Sequence, residues 1–122
     1  MKLHLTRAAG RNLFTAYGDG YVSINDQRYE RALIVAPDHP VAEWEASSFE
    51  TLGPGDFDAV LRMNPEIVLL GTGARLRFPR PELTRRLVET AVGYEVMDTK
   101  AACRTYNILM AEGREVVAAI FV

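Results

Sequence analysis

The chain has 122 residues, of which 48% are hydrophobic and 25% charged, and its formal net charge is −2. This length predicts one domain with one ordinary core, and the composition is typical of a soluble globular protein. The slightly acidic balance argues against a general nucleic-acid binder, which needs a basic face to release counterions from phosphates. The single cysteine excludes an intrachain disulfide and a cysteine zinc cluster, so we expect a reducing, cytoplasmic environment.

The N-terminus carries no apolar run of signal-peptide length, and nowhere do 18 or more apolar residues follow one another. These features predict neither a secretory signal nor a transmembrane segment. No linker-like stretch divides the chain. We therefore expect an N-terminal extension over residues 1–12 and a single α/β domain over residues 13–122.

The first half of the chain begins with β-strand patterns. Residues 13–24 predict a β-hairpin, because two runs rich in aromatic and β-branched residues flank a Gly-Asp-Gly turn. The apolar stretch 33–35 predicts a strand, and the alternating residues 41–46 predict a short or edge strand. A helix is then expected to begin with Asp56 as its cap and to end before Pro65.

The second half alternates predicted strands with predicted helices. The apolar run 66–70 lies between a proline and a glycine and suits a strand that is buried on both faces. Residues 81–92 have helical periodicity, with Leu83, Leu87 and Ala91 on one face. This alternation, after an antiparallel start, predicts an α/β layered domain with a mixed, largely parallel central sheet.

The last two predicted elements are a helix and a strand. A strand at 94–98 precedes a helix that Thr99 is expected to cap and Gly113 to end, and residues 115–122 form a final apolar strand. The buried face of this helix is expected to carry Ala102, Tyr106, Leu109 and Met110.

A glycine turn follows the buried strand at 66–70. Gly71 and Gly73 are present, but the third glycine of a dinucleotide fingerprint and the Gly-Lys-Ser/Thr of a Walker loop are missing. Ligands in open α/β sheets bind beyond the carboxyl ends of strands, so backbone N–H groups and Arg75 or Arg77 can hold a small anion there. The alternative, which a lone Gly-x-Gly favours, is a sharp turn followed by a solvated arginine loop.

Two residues of the last predicted helix extend this anion-site hypothesis. Thr99 stands at the helix N-terminus, where an anion can bind, although simple capping is the favoured interpretation. Arg104 lies off the apolar face, where it is either exposed or acts as an anion clamp. If the sheet brings residues 71 and 99 together, the two weak sites merge into one pocket. The candidate ligand-binding residues are Gly71, Thr72, Gly73, Arg75, Thr99 and Arg104.

Catalytic and metal-binding interpretations receive less support. Cys103 adjoins the apolar helix face and is interpreted as a core residue, because neither His4 nor His39 lies in a catalytic context. Two histidines so placed also make a metal site a poor interpretation. The glutamates at positions 43, 45 and 50 surround Trp44. They are interpreted as a solvated strand edge rather than an acid–base pair, and the tryptophan as packed against the core.

Three stretches carry a resemblance to a known family. They are VMDTKAACRTYNILMAEGREVVAAIFV at the C-terminus, VLLGTG at the glycine turn and GYVSINDQRYERALIV in the N-terminal half. From residue 13 to residue 122 the chain resembles a family of small α/β domains of unassigned function, found in a mitochondrial assembly factor for respiratory complex I and in an adipogenesis-associated protein. The matching motif residues are Gly71, Thr72, Gly73, Thr99, Arg104, Tyr106, Asn107, Glu112 and Gly113.

The resemblance implies a three-layer α/β domain with a mixed sheet, an N-terminal β-hairpin and about three helices. It carries over no catalytic residue and implies no cofactor or metal. The function that it implies is an accessory protein, one that binds a protein partner during assembly of a respiratory or membrane-associated complex. The alternative is a small anionic-ligand-binding domain or an enzyme that uses the merged pocket. The resemblance leaves the oligomeric state open.

Overall fold

The structure is a computed structural model and describes residues 10–122. Most of the predicted extension over residues 1–12 therefore lies outside the described part. The strands are β1 (Phe14–Gly18), β2 (Tyr21–Ile24), β3 (Gln27–Tyr29), β4 (Leu33–Val35), β5 (Ala42–Glu43), β6 (Ile67–Thr72), β7 (Gly93–Met97) and β8 (Val116–Phe121). The α-helices are α1 (Asp58–Leu61), which follows a 3-10 turn at Pro54–Phe57, α2 (Pro81–Glu89) and α3 (Thr99–Ala111).

The N-terminal part forms a three-stranded antiparallel sheet in the order β1-β2-β3. The predicted hairpin is confirmed, and β3 adds a third strand after a two-residue turn. Asn25 and Asp26 form that turn with φ values of 50° and 69°. Positive φ at both central residues matches the right-handed twist of the flanking strands, and Asn and Asp tolerate it better than most residues.

The central sheet has five strands in the order β5-β4-β8-β6-β7. Strand β6 pairs in parallel with β8 and β7, whereas β4 pairs antiparallel with β8 and β5. The sheet is therefore mixed, as predicted. Strands β6 and β8 occupy the middle positions because their continuous apolar sequences are compatible with burial on both faces.

Two hydrophobic clusters cover the two faces of the central sheet. On one face α3 and the three-stranded sheet pack together, and on the other face α1, α2 and the segment around Trp44 pack together. Side chains alternate along a strand, so β8 supplies both clusters with its successive residues. The described chain thus has three layers with the five-stranded sheet in the middle, which confirms the expected fold class.

The last helix follows the prediction closely. Tyr106 and Met110 are buried, and the ring of Tyr106 meets the ring of Phe14 edge to face with centroids 5.1 Å apart. Gly113 has a φ of 79° and ends the helix in the left-handed conformation that favours glycine. Leu109 is only half-buried, because it lies at the edge of the buried helix face, which includes Asn107.

One predicted detail is wrong in each of the first two helices. Helix α2 ends at Glu89, and Ala91 is exposed in the following turn with a φ of 58° rather than on the buried face. Asp56 does not cap a helix. It is the third residue of the 3-10 turn, and its carboxylate accepts a 2.7 Å hydrogen bond from the N–H of Gly53, the residue that precedes the turn.

Candidate functional site

The glycine turn lies at the carboxyl end of β6, between β8 and β7. Gly71 is paired with Ile120 and Met97 in the two parallel ladders. A Cβ atom added to Gly71 would lie 2.7 Å from Cγ2 of Ile120 and 3.0 Å from Oγ1 of Thr99. Ordinary carbon–carbon contacts are about 3.5–4.0 Å. Gly71 is therefore required because neighbouring side chains approach its backbone closely.

The helix start at Thr99 lies beside this turn. The N–H of Gly73 donates to Oγ1 of Thr99 over 2.9 Å, and the N–H of Thr99 donates to the carbonyl of Gly73 over 2.9 Å. The same hydroxyl donates to the carbonyl of Phe121. The structure thus brings Gly73 and Thr99 to the same end of the sheet. It also engages the Gly73 N–H and the Thr99 hydroxyl in bonds within the protein.

Asp98, not Thr99, caps the last helix. A carboxylate oxygen of Asp98 accepts a 2.9 Å hydrogen bond from the N–H of Ala101, and Thr99 is the first helical residue. The sequence places two good capping residues side by side, and capping preference does not separate them clearly. The tertiary contact with Gly73 decides the outcome, because it occupies the threonine hydroxyl.

Thr72 and Arg77 close the loop that follows the turn. The buried hydroxyl of Thr72 donates to the carbonyl of Arg75 over 2.7 Å and accepts from the N–H of Arg77 over 3.1 Å. Nε and Nη2 of Arg77 both donate to the Thr72 carbonyl, at 3.2 and 2.8 Å. Thr72 therefore organises the loop from inside.

The outer end of Arg77 holds a second segment in place. Its guanidinium carbon lies 4.4 Å from the ring centroid of Phe49, and Nη1 forms an ion pair with Glu50. A hydrogen bond from its own backbone N–H, and then the interaction with Arg77, lower the pKa of the Glu50 carboxyl below its usual value. The sequence marked Arg77 as part of a solvated loop, yet its side chain is only partly exposed and makes specific contacts.

Arg104 points toward the N-terminal hairpin. Its Nη1 donates to the hydroxyl of Tyr17 over 2.8 Å, and its guanidinium carbon lies 5.7 Å from the centroid of the same ring. A small cavity of about 130 Å³ lies between that hairpin and the glycine turn, and Gly73, Thr99 and Lys100 line it. Arg104 is not among its lining residues. The cavity thus contains two of the six candidate residues.

The remaining candidates fall elsewhere. Gly71 and Thr72 are buried, and Arg75 lines a different cavity of about 370 Å³. The floor of that cavity includes Leu52 and Leu83, and Phe78 and Arg80 stand at its rim. Sequence reasoning did not select Phe78. The available signal was the alternation of arginine with large apolar residues in RLRF, outside any predicted strand or helix.

Trp44 is buried, as predicted, and its Nε1 donates to the carbonyl of Asp56 over 2.8 Å. Glu43 and Glu45 are exposed at the edge of the central sheet, where β5 is its last strand. A cavity of about 590 Å³ lies beside them. The two carboxylates are solvated edge residues in this geometry.

Cys103 and Tyr106 face the core from α3. Burial raises the pKa of the Cys103 thiol from 9.0 to about 12, and burial likewise raises the pKa of the Tyr106 hydroxyl. A thiol with such a pKa carries almost no thiolate near neutral pH, so Cys103 is a core residue and a poor nucleophile.

Asn107 joins the last helix to the first strand. Its amide nitrogen donates to the carbonyl of Phe14 over 2.8 Å, and its amide oxygen accepts from the N–H of Phe14 over 3.0 Å. The buried side-chain amide therefore bonds both backbone groups of Phe14, as a residue of a neighbouring strand would. This explains why a polar residue lies inside the apolar face of α3.

Metal binding and membrane spanning find no support within residues 10–122. No three side chains among His, Cys, Asp and Glu converge there as a metal site, and His4 lies outside that range. No helix in the same range combines the length and the apolar composition that a bilayer crossing requires.

The fold and this geometry define a small three-layer α/β domain with a glycine turn closed by its own hydrogen bonds. A model of the family described as proteins of unknown function (DUF498/DUF598) matches residues 14–121, and the chain belongs to this family.

Two curated relatives and one solved structure illustrate the similarity. The 13 kDa major membrane protein of Francisella tularensis subsp. holarctica is 30% identical over 105 residues, 84% of this chain and 85% of that protein. The NADH dehydrogenase (ubiquinone) 1 alpha subcomplex assembly factor 3 of Bos taurus is 32% identical over 110 residues, 85% of this chain but only 59% of that protein. A crystal structure from Bordetella parapertussis is 44% identical with a TM-score of 0.88, over 94% of this chain and 98% of that one.

Proposed function

We propose that the chain is a non-enzymatic accessory protein that binds a protein partner during assembly of a respiratory or other membrane-associated complex. The observation that carries this proposal is the 32% identity with a protein named as an assembly factor of NADH dehydrogenase, over 85% of this chain. The burial of Cys103, the single cysteine, raises its pKa and so argues against catalysis by a cysteine nucleophile. We further propose that the protein acts in the cytoplasm.

A deletion and capture experiment tests this function. The tagged chain is captured, after mild cross-linking, from cells that naturally make it, with the tag alone as control. Native electrophoresis then compares assembled NADH dehydrogenase and other membrane complexes in parent, deletion and complemented strains. We expect subunits of one such complex to co-purify, and the assembled complex to decrease in the deletion strain and recover on complementation. Capture of this chain alone, with unchanged complexes in the deletion strain, would contradict the proposal.

Fractionation tests the cellular location. A protein that acts in the cytoplasm is expected in the cytosolic fraction, or on membranes from which it is accessible at the cytoplasmic side. Protease that reaches it only from the opposite side of the membrane would contradict this part of the proposal.

A second candidate function is the binding of a small anion in the cavity of about 130 Å³. The observation that favours it is that Gly73, Thr99 and Lys100 line this cavity at the start of a 13-residue helix, and an anion there would have to compete with Asp19, which also lines the cavity and lies 3.4 Å from Nζ of Lys100. Thermal unfolding with inorganic phosphate, nucleotides and small carboxylates tests it, with Lys100→Ala and Arg104→Ala alongside. A ligand at 100 times its dissociation constant stabilises the folded state by about 2.7 kcal/mol. If none of these compounds stabilises the folded chain, this second function is refuted.

A further inference from the structure

The cavity of about 370 Å³ beside the loop after β6 is here called the arginine groove. The buried side chains of Leu52 and Leu83 are taken as its floor, and the exposed side chains of Arg75, Phe78 and Arg80 as its rim. Glu50 also lines the groove, where its carboxylate is paired with Arg77. Pockets that bind small-molecule ligands have volumes of about 300–1,000 Å³. The groove is therefore large enough for one or two apolar side chains of another molecule.

The groove carries a local positive charge in a chain whose net charge is −2. Residues 75–86 contain five arginines and one glutamate. Arg77 is paired with Glu50, and Arg86 with Asp58. The other three arginines of this segment, at positions 75, 80 and 85, are exposed and form no ion pair with the part of the chain that the structure describes.

Large apolar side chains are exposed at the same place. Phe78 lines the groove and is 73% exposed, and Leu76, two residues earlier in the same loop, does not line it but is 49% exposed. A single exposed apolar residue is ordinary on a protein surface. An exposed phenylalanine at the rim of an apolar-floored cavity, beside unpaired arginines, matches the composition of binding hot spots, which are enriched in aromatic residues and arginine.

We propose that the arginine groove binds a segment of a partner protein in which a large apolar side chain is flanked by carboxylates. The apolar side chain enters the groove above Leu52 and Leu83, and the carboxylates pair with Arg75 and Arg80. This inference rests on the proposed function, for which it names the surface and the chemistry of the partner. The guanidinium group suits the task because its planar donors bind a carboxylate in two parallel hydrogen bonds.

The concave shape favours a protein segment over a lipid surface. An anionic membrane attracts the same arginines and accepts Phe78, but a flat lipid surface does not fill a cavity with an apolar floor. A side chain that projects from a peptide does. The charge and the shape together therefore select an acidic and apolar peptide segment.

Selection from a library tests the inference without knowledge of the natural partner. Phage displaying random 12-residue peptides are selected on the full chain, and the enriched peptides are synthesised and measured by fluorescence anisotropy. We expect enriched sequences with a Phe, Leu or Trp between acidic residues. The Arg75→Glu and Arg80→Glu variants should each bind them about tenfold more weakly, the loss expected for one charge-assisted contact.

A matched control separates the groove from general charge effects. Arg62→Glu makes the same charge change at an exposed arginine that precedes β6, at the opposite end of that strand. This variant should bind the selected peptides as tightly as the original chain. Phe78→Ser should weaken binding while leaving the thermal unfolding temperature unchanged, because the Phe78 side chain is mostly exposed.

Three results would overturn the inference. The first is the absence of acidic, apolar peptides from the selection, and the second is equal binding of such peptides by the Arg75→Glu/Arg80→Glu double variant. The third is a selection that enriches no peptide, together with a chain that sediments with phosphatidylglycerol vesicles but not with phosphatidylcholine vesicles. In this third case the double variant no longer sediments with the phosphatidylglycerol vesicles. That result assigns the surface to membranes.

The same double variant separates this inference from the proposed function. If the original chain captures a complex from cells and the Arg75→Glu/Arg80→Glu variant captures it equally well, the groove is not the docking surface but the assembly function stands. If the original chain captures nothing while selected peptides depend on the two arginines, the groove binds peptides and the assembly function fails.

Discussion

Replacing Gly71 by alanine is the most direct test of why the glycine turn exists. The added Cβ would lie 2.7 Å from Cγ2 and 3.2 Å from Cβ of Ile120, which is fully buried on the neighbouring strand β8. Contacts of that kind are normally about 3.5–4.0 Å, so the two atoms overlap by roughly 0.8 Å or more. Neither strand moves freely, because β6 and β8 are the two central neighbours of the sheet.

The expected cost follows from these contacts. Overpacking a well-packed core costs about 1–3 kcal/mol. Alanine also restricts the unfolded chain, which offsets about 0.4–1 kcal/mol of that cost. The difference between these two terms is about 0–2.6 kcal/mol, and we expect Gly71→Ala to lower the free energy of unfolding by roughly 1.3 kcal/mol, the middle of that range.

Urea unfolding measures this change, with Gly55→Ala as the matched control. A Cβ on Gly55 meets its nearest atom, a carboxylate oxygen of Asp58, at 3.9 Å, and Gly55 is exposed without a positive φ. The control should be as stable as the original chain or slightly more stable. The slope of the unfolding free energy against urea should be equal in all three proteins. Equal midpoints for Gly71→Ala and Gly55→Ala would refute the close-approach account.

Three further changes test the contacts around α3. Thr99→Val removes the hydroxyl that bonds the Gly73 N–H and the Phe121 carbonyl, and it should lower the free energy of unfolding by about 2 kcal/mol or more. Thr99→Ser keeps a hydroxyl and should keep most of the stability of the original chain. Equal losses for the two variants in thermal unfolding would contradict this account. Asn107→Leu should destabilise similarly and speed amide exchange at Phe14, and unchanged exchange would speak against the bidentate contact. Cys103 should resist iodoacetamide at pH 8 until urea unfolds the chain, so rapid native alkylation would disprove its burial. Because folding raises the pKa of this thiol from 9.0 to about 12, the stability that it contributes is complete below pH 9 and falls as the pH rises toward 12, and Cys103→Ala should show a smaller loss over that window.

Local sequence patterns predicted correctly those elements whose residues are compatible with only one type of secondary structure. The apolar run before Gly71 is too short for a helix, so β6 followed from its composition, and Gly113 ended α3 because few other residues adopt its positive φ. Ala91 shows the limit of periodicity. The apolar spacing of α2 continues through it, but the helix has already ended at Glu89.

The candidate site depended on contacts that sequence spacing does not encode. Arg77 reaches Glu50, which lies 27 residues earlier in the chain, and Thr99 receives a hydrogen bond from Gly73, which lies 26 residues earlier. The sequence favoured a solvated Arg77 and a Thr99 that only caps the helix. It could not show their partners, because the fold of the sheet brings these residues together. The sequence placed a turn after β6 and placed the helix cap one residue too late, at Thr99, but it did not predict the bonds between the turn and the helix.

The closed turn and the open groove are linked through one loop. The Thr72 hydroxyl fixes the backbone on both sides of Leu76, and the Arg77 side chain returns to the Thr72 carbonyl, so the loop leaves the sheet in a defined direction. Residues 78–80 are consequently held away from the core, at the rim of the arginine groove. The Gly73 N–H and the Thr99 hydroxyl could bind a small anion if they were free, but they are engaged in bonds that hold the turn from which this loop begins. The hydrogen bonds that weaken the anion hypothesis thus also position the loop that carries the proposed docking surface.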